Sequence, residues 1–317
     1  MRVGQNPAKS LQQVSKPKRV TVAVVTYIPF LSGYYAQSLD VLKLSLRSLR
    51  ANTTESYDLL VFDNGSGEET QSYLRDEYSK GNIQFLTLSE QNLGKGGAWN
   101  FVFSAAPGDI VAYADSDILF REGWLSQSLE ILESFPKVGM VTGRPLRSKE
   151  KYFSATLNWA EQTDGVGVEK GQFLPWHVFS AHSLSCGVSL EQTEEWFQTS
   201  YDYRLSFGSL TAYAGAAHFQ FVAKKNVLAS LLPFEMDKPM GQVRTLDENL
   251  NEKGYLRLMI SDPLVVHMGN VMPAQAEVSA SIDYIQKTRN TLWKWPPLKK
   301  MLLYFYNRIF QIYFSTK

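Results

Sequence analysis

The chain of 317 residues has one cysteine, Cys186. One thiol excludes an internal disulfide and a multi-cysteine zinc site, and it fits a reducing cytoplasm. Cys186 itself reads as a small buried hydrophobe. No apolar run approaches the ~20 residues that span a bilayer. Excess charge is missing too, and a formal net charge of +1 gives no electrostatic reason for a nucleic-acid partner. Residues 1–18 are polar and basic without the apolar core of a secretory signal, and are expected to be a disordered leader. What remains is 44% hydrophobic and 20% charged, an ordinary globular composition with room for one large α/β domain or two small ones.

Periodicity supplies the architecture. Residues 19–27 form a β-branched run of the kind buried on both faces of a sheet. Leu39, Leu42, Leu46 and Leu49 recur at a helical period. A second buried strand over 57–62 ends in the turn-rich Asp63-Asn64-Gly65-Ser66-Gly67, followed by a helix over 68–78 and a strand over 82–88. This β-α-β-α-β order predicts a mostly parallel sheet flanked by helices. Val138 to Thr142 adds a strand, whereas 149–176 reads as mixed, with Gly165, Gly167 and Gly171 in a loop.

The centre of the chain is Val111-Ala112-Tyr113-Ala114-Asp115-Ser116-Asp117-Ile118, an apolar strand ending in two carboxylates. Strand geometry carried through it points Asp115 and Asp117 the same way. Such a pair calls for a cation, and hard oxygen ligands suit Mg²⁺ or Mn²⁺. The plain alternative is a strand-to-turn junction with Asp115 capping and Asp117 solvated. Upstream, Asn92-Leu93-Gly94-Lys95-Gly96-Gly97-Ala98-Trp99-Asn100 opens a helix. Its glycines let backbone N–H groups approach a phosphate, and Lys95 would neutralise diphosphate charge. The spacing is neither the Rossmann fingerprint nor a Walker A loop.

Three later segments carry chemistry-bearing residues. Leu246 to Tyr255 predicts a short helix with Asp247 and Glu248 at its start, where a carboxylate is well placed as a general base. Val265-Val266-His267 ends a strand with an imidazole able to join a carboxylate-held metal. His218, after Gly215-Ala216-Ala217, reads as a structural histidine, and the aromatics around Pro175-Trp176-His177 as core or a sugar-stacking surface.

Taken in order, Thr26, Asp63-Asn64-Gly65-Ser66, the Asn92–Asn100 loop, Asp115-Ser116-Asp117, Asp247-Glu248 and Val-Val-His267 resemble glycosyltransferase family 2 over about residues 20–270. The resemblance implies a GT-A fold, a nucleotide-sugar donor of unspecified base, Mn²⁺ or Mg²⁺, and inversion at the anomeric carbon. It places Thr26, Tyr27, Asp63 and Asn64 against the nucleotide, and Asn92, Gly94, Lys95 and Asn100 around the donor loop. Asp115 falls on ribose or metal-bound water, Asp117 on the metal, and His267 on the metal or diphosphate. The family's Glu-Asp-x-Asp-Leu is only partly matched: aligning Leu250 with that leucine makes Asp247 the base, with Glu248 as the alternative. The GT-A domain is expected over 19–290. The implied acceptor is a glycan or lipid-linked glycan in bacterial surface polysaccharide synthesis, which would put the enzyme in the cytoplasm, peripheral on the inner face of the plasma membrane.

Residues 291–317 predict a two-sided helix. Leu298, Leu302, Phe305, Ile309 and Ile312 share one face; Lys300, Asn307, Arg308 and Gln311 lie opposite. It suits either a membrane surface or packing on the enzyme's own core or a twin subunit. Two rival functions stand beside the transferase. A sugar-nucleotidyltransferase would need a Gly-rich basic signature after the first strand, where Tyr27-Ile28-Pro29-Phe30 stands instead. A silent GT-A-like membrane-docking subunit would not need the acidic set.

Overall fold

The computed structural model describes residues 4–10, 13–240 and 242–273; the helix expected over 291–317 lies outside them. The first half follows the expected alternation: β1 (Val20–Thr26), α1 (Ser38–Ala51), β2 (Tyr57–Asp63), α2 (Glu68–Ser79), β3 (Phe85–Leu88), α3 (Gly94–Ala105) and β4 (Ile110–Asp115). There follow β5 (Ile118–Phe120), α4 (Trp124–Ser134), β6 (Val138–Thr142), α5 (Ser154–Glu161), β7 (Val166–Gly171), α6 (Trp176–Ser185) and α7 (Leu190–Thr199). The described part closes with β8 (Asp202–Phe207), β9 (Leu210–Ala214), β10 (Gln220–Lys224), α8 (Lys225–Ala229), α9 (Gln242–Glu252), β11 (Leu256–Met259) and β12 (Val265–His267).

Among the described residues, ten strands form one sheet in the order β3-β2-β1-β4-β10-β6-β11-β9-β8-β7, and β5 pairs with β12 in a second, two-stranded sheet. In the large sheet β10, β9 and β7 run against the other strands. This is the expected α/β fold with a mostly parallel sheet flanked by helices. Side-chain alternation divides the core in two. Val22, Val24, Ala112 and Ala114 face Leu42, Leu46 and Trp124. Ala23, Val111 and Tyr113 face Trp99, Phe103, Leu246 and Leu250 on the other side. Fully burying one such aliphatic or aromatic side chain contributes roughly 1.5–3 kcal/mol, so both layers of helices are held by the sheet's alternation.

Four expectations are corrected. The acidic stretch is not one strand: the chain turns at Ser116 and Asp117, leaving the large sheet for the small one. Gly167 and Gly171 are not in a loop but in β7, paired with Ser206 and Asp202 of β8. The helix of Asp247 begins earlier, at Gln242, so Asp247 and Glu248 sit mid-helix with no acidic residue in the first turn; the helix dipole gives them no help. Cys186 is exposed, not buried.

The α6–α7 insertion is tied down by Arg147. Its guanidinium meets Asp202 at 3.0 Å, with the Phe179 and Phe197 ring centroids 4.9 and 4.7 Å away. Trp176, half-buried, packs on Phe179 and Phe197. No helix of the described residues is long and apolar enough to cross a membrane.

Candidate active site

Parallel strands end together, so ligand-binding groups collect at their carboxyl ends. Here those ends carry Thr26, Asp63 and Asp115, adjacent through the pairing of β2, β1 and β4. Asp115 shares the phase of Tyr113 and therefore faces α3. There the Lys95 ammonium lies 2.7 Å from both Asp115 carboxylate oxygens, and the Tyr113 hydroxyl donates to one of them at 2.5 Å. Lys95 also sits 5.4 Å from the Trp99 ring and 5.6 Å from that of Tyr113, so aromatic faces hold it in place.

Asp117 has a separate environment. Because β5 pairs antiparallel with β12, His267 stands opposite Ile118, and its Nε2 lies 3.3 Å from Asp117 Oδ2. The Ser185 hydroxyl donates to His182 O at 2.7 Å and is 3.0 Å from His267 Nδ1. Having given its one proton to the carbonyl, Ser185 accepts from His267 Nδ1–H. In the neutral ring that leaves the Nε2 lone pair aimed at a carboxylate, two acceptors face to face. Asp117 Oδ1 is buried with no hydrogen-bond partner among the described residues, and burial first, then the Asp115 charge, raises the Asp117 carboxyl above the usual range against the lowering pull of His267. Two acceptors and an unpaired carboxylate oxygen fit a divalent cation. No group of three His, Cys, Asp or Glu side chains converges on a metal position among the described residues; of the expected Asp115, Asp117 and His267, Asp115 pairs with Lys95, while Asp117 and His267 lie together.

The glycine loop expected to approach a phosphate is braced by neighbouring segments. Three of its N–H groups are committed to protein: Leu93 N donates to Asn64 Oδ1 at 2.8 Å, Gly94 N to Asn92 Oδ1 at 2.8 Å, and Lys95 N to Pro239 O at 2.9 Å. Gly94 has φ +68°, and a Cβ there would lie 2.8 Å from Lys238 O and 3.3 Å from Pro239 Cα. The glycines thus admit the segment leading into α9. Gly94→Ala is expected to cost about 1–3 kcal/mol, read as a lower melting temperature. Asn100 clamps the same connection, donating to Phe234 O at 2.8 Å and accepting from Phe234 N at 2.7 Å. Asp63 holds the next loop by accepting from Ser66 N and Gln71 Nε2 through Oδ2, while its Oδ1 and the Thr26 hydroxyl are buried without partners among the described residues.

On α9, Leu246 and Leu250 are buried, which fixes the helix phase and brings Asp247 over β11. Arg257, 1% exposed, donates to Asp247 Oδ1 at 2.5 Å, to Ala216 O at 2.9 Å and to Tyr152 O at 2.7 Å. Desolvation raises the Asp247 carboxyl to about 6, with Arg257 opposing the rise. Glu248 lies beside it, half-buried. His218 is pushed down to about 4 by burial first and then by Lys95, with Arg257 and His267 adding to the fall and Asp115 opposing it. The segment around His218 borders all three pairs: Ala216 O accepts from Arg257 at 2.9 Å, Phe219 O accepts from Asp115 N at 2.8 Å, and the Phe219 ring centroid lies 5.5 Å from that of His267.

Beside that site a cavity of about 230 Å³ is lined by Tyr27, Ile28, Tyr34, Tyr35, Ser38, Val41, Ser116, Asp117, Gly269 and Asn270. Its position between the β1 end and Asp117 suits a flat ring or a sugar. The sequence profile of glycosyl transferase family 2 matches residues 34–195, about half of the chain. The chain belongs to glycosyl transferase family 2. The match includes Asp63, Asn92, Lys95, Asp115 and Asp117; Thr26, Asp247 and His267 lie outside it. An uncharacterized glycosyltransferase of Nostoc sp. is 25% identical over 100 residues, 32% of this chain and 31% of that protein. The putative glycosyltransferase EpsH of Bacillus subtilis is 27% identical over 88 residues, 28% of this chain and 25% of that protein. The matched stretch thus spans under a third of either relative. Among solved structures, a mannosyltransferase from Pyrobaculum calidifontis in complex with GDP-Man and Mn²⁺ superposes at TM-score 0.45 and 18% identity, covering 78% of this chain and 55% of that one. TarS of S. aureus superposes at TM-score 0.45 and 14% identity, covering 78% and 59%.

Three participants in this family 2 site were not found by sequence reading. Arg257 lies in an apolar strand, Leu-Arg-Leu-Met, where a lone buried arginine asks for a partner. Ser185 and Tyr113 carry no such signal.

Proposed function

We propose that this chain transfers a glycosyl group, with inversion, from a nucleotide-sugar to an acceptor hydroxyl. The observation that carries the reading is the desolvated Asp247 carboxylate, raised to about 6 and tied to Arg257, in a site that also holds the Asp117–His267 acceptor pair. Arg257 engages Oδ1 of Asp247, which leaves Oδ2 as the proton acceptor. A base tuned close to neutral pH is the effective kind. Asp247, rather than Glu248, takes the proton from the acceptor hydroxyl as that oxygen attacks the anomeric carbon. Lys95 sits where negative charge develops on the departing diphosphate, and its exchange from Asp115 onto phosphate keeps both anions compensated.

Asp117 and His267 would hold Mg²⁺ or Mn²⁺, with donor phosphate oxygens as further ligands. The ion would supply Lewis-acid stabilisation of the leaving diphosphate. Tyr27 and the cavity beside Asp117 would take the nucleotide, with Asp63 and Asn64 shaping its floor. The acceptor in this reading is a glycan or lipid-linked glycan of surface polysaccharide synthesis. Residues 291–317 would rest on the membrane; truncation at Trp295 should then abolish co-sedimentation with vesicles, and unchanged partitioning rejects that part.

Thermal unfolding with UDP, GDP, dTDP or CMP, each with Mn²⁺, Mg²⁺ or EDTA, tests the reading, because a ligand of the native state raises the melting temperature. One nucleotide should give a metal-dependent rise that Asp117→Asn removes. Failure of every nucleotide would favour a binding subunit over an enzyme.

A further inference from the structure

Arg144 follows β6 at the same end of the sheet and is 2% exposed. Its one hydrogen bond goes from Nη2 to Val178 O at 2.8 Å; Nε is buried with no partner among the described residues. No carboxylate pairs with it there. Backbone bonds bring Arg121 to its side, Arg121 N donating to Leu264 O at 2.8 Å and Leu264 N to Gly143 O at 3.0 Å, and burial together with that like charge pulls the guanidinium down to about 10. Arg121, directly after β5, is half-buried and has no ion pair among the described residues either. Two guanidiniums brought together without an anion repel, and a buried charge is costly when unpaired.

The surrounding groups have the same character. Ser180 Oγ and His182 Nδ1 on α6 are buried without partners among the described residues, as is Nε2 of Gln220, whose Oε1 accepts from Gly143 N. Apart from the imidazole nitrogen these are donors, and the element complementary to two arginines and several unused donors is an oxyanion. A phosphoryl group offers enough oxygens for both forks. The location separates it from the nucleoside end of the donor, although His182 adjoins His267 with ring centroids 6.1 Å apart. The nucleotide-side residues Thr26 and Asp63 end β1 and β2, whereas Arg144 ends β6, beyond β4 and β10 in the sheet order.

We infer that Arg144 and Arg121 form a phosphate subsite for the acceptor. Arg121, the more exposed of the two, stands at its entrance and Arg144 at its floor. The acceptor class is therefore a phosphate-bearing molecule, with its phosphate held by the arginines and not by Asp117 and His267. The inference rests on the transferase reading for the word acceptor, but the subsite is tested without turnover.

The experiment measures binding of inorganic phosphate and of farnesyl phosphate to the full chain by calorimetry, with and without saturating amounts of the nucleoside diphosphate that binds. Both probes are expected to bind alongside the nucleotide. Arg144→Met and Arg121→Gln should each weaken them about tenfold or more, the loss of a charge-assisted hydrogen bond, with nucleotide affinity unchanged. Arg121→Gln keeps the test open should Arg144→Met fail to fold. Phosphate that competes with the nucleotide would assign these arginines to the donor and overturn the inference. So would affinity unchanged in Arg121→Gln, or no binding of either probe by a chain that binds nucleotide. Loss of nucleotide binding itself would instead count against the transferase reading. Binding of farnesyl phosphate but not inorganic phosphate would show affinity from the lipid chain alone, and would also overturn it.

Discussion

Asp247→Asn is expected to lower kcat by about 10²–10⁴-fold, the usual contribution of a general base, while metal-dependent nucleotide binding stays intact. The amide oxygen still accepts from Arg257, so the local fold survives the change. In the unsubstituted chain activity should rise with pH through about 6, where the Asp247 carboxyl ionises, and Asp247→Asn should abolish that limb. Stability carries a linked signature of opposite direction. The folded carboxyl is raised from 3.8 to about 6, so between these values the native state binds more protons than the unfolded chain. Its contribution to stability is therefore full below pH 3.8 and is lost as pH rises through about 6. Urea unfolding across this window should show a falling stability that the asparagine variant lacks. A pH–rate limb retained in Asp247→Asn would transfer the base role to Glu248.

Arg257→Met is expected to cost about 3–5 kcal/mol of stability, the typical result of removing one partner from a buried pair. Arg257 is 1% exposed and its side chain also satisfies the Ala216 and Tyr152 carbonyls. Truncation strands Asp247 in an apolar setting, so its carboxyl should move above 6 and the activity limb should move to higher pH. The pair Arg257→Met with Asp247→Asn removes both charges, and a double-mutant cycle should show strong coupling. Additive losses would mean that Arg257 acts only through packing. A pH limb that does not move would exclude it from tuning the base.

The sequence by itself determined the β-α-β-α-β half of this protein. The period-2 alternation of β1 and β4 and the leucine spacing of α1 are local properties, set by which side of each element meets the core. The same alternation placed Asp115 on the α3 face, and Leu246 and Leu250 placed Asp247 inward. Tertiary structure decided the partners. Asp117 leaves the strand because β5 pairs with β12, more than a hundred residues downstream, and that pairing alone brings His267 to it. The glycine loop reads as a phosphate cradle, yet three of its amides, those of Leu93, Gly94 and Lys95, are taken by Asn64, Asn92 and Pro239. Arg257 meets Asp247 only when α9 folds back over β11, and Arg121 is brought near Arg144 only through the bonds of Leu264 to Arg121 and Gly143. Periodicity records which face of an element is buried. It carries no record of which distant charge lies across that face, because that contact exists only after the chain has closed the intervening loops.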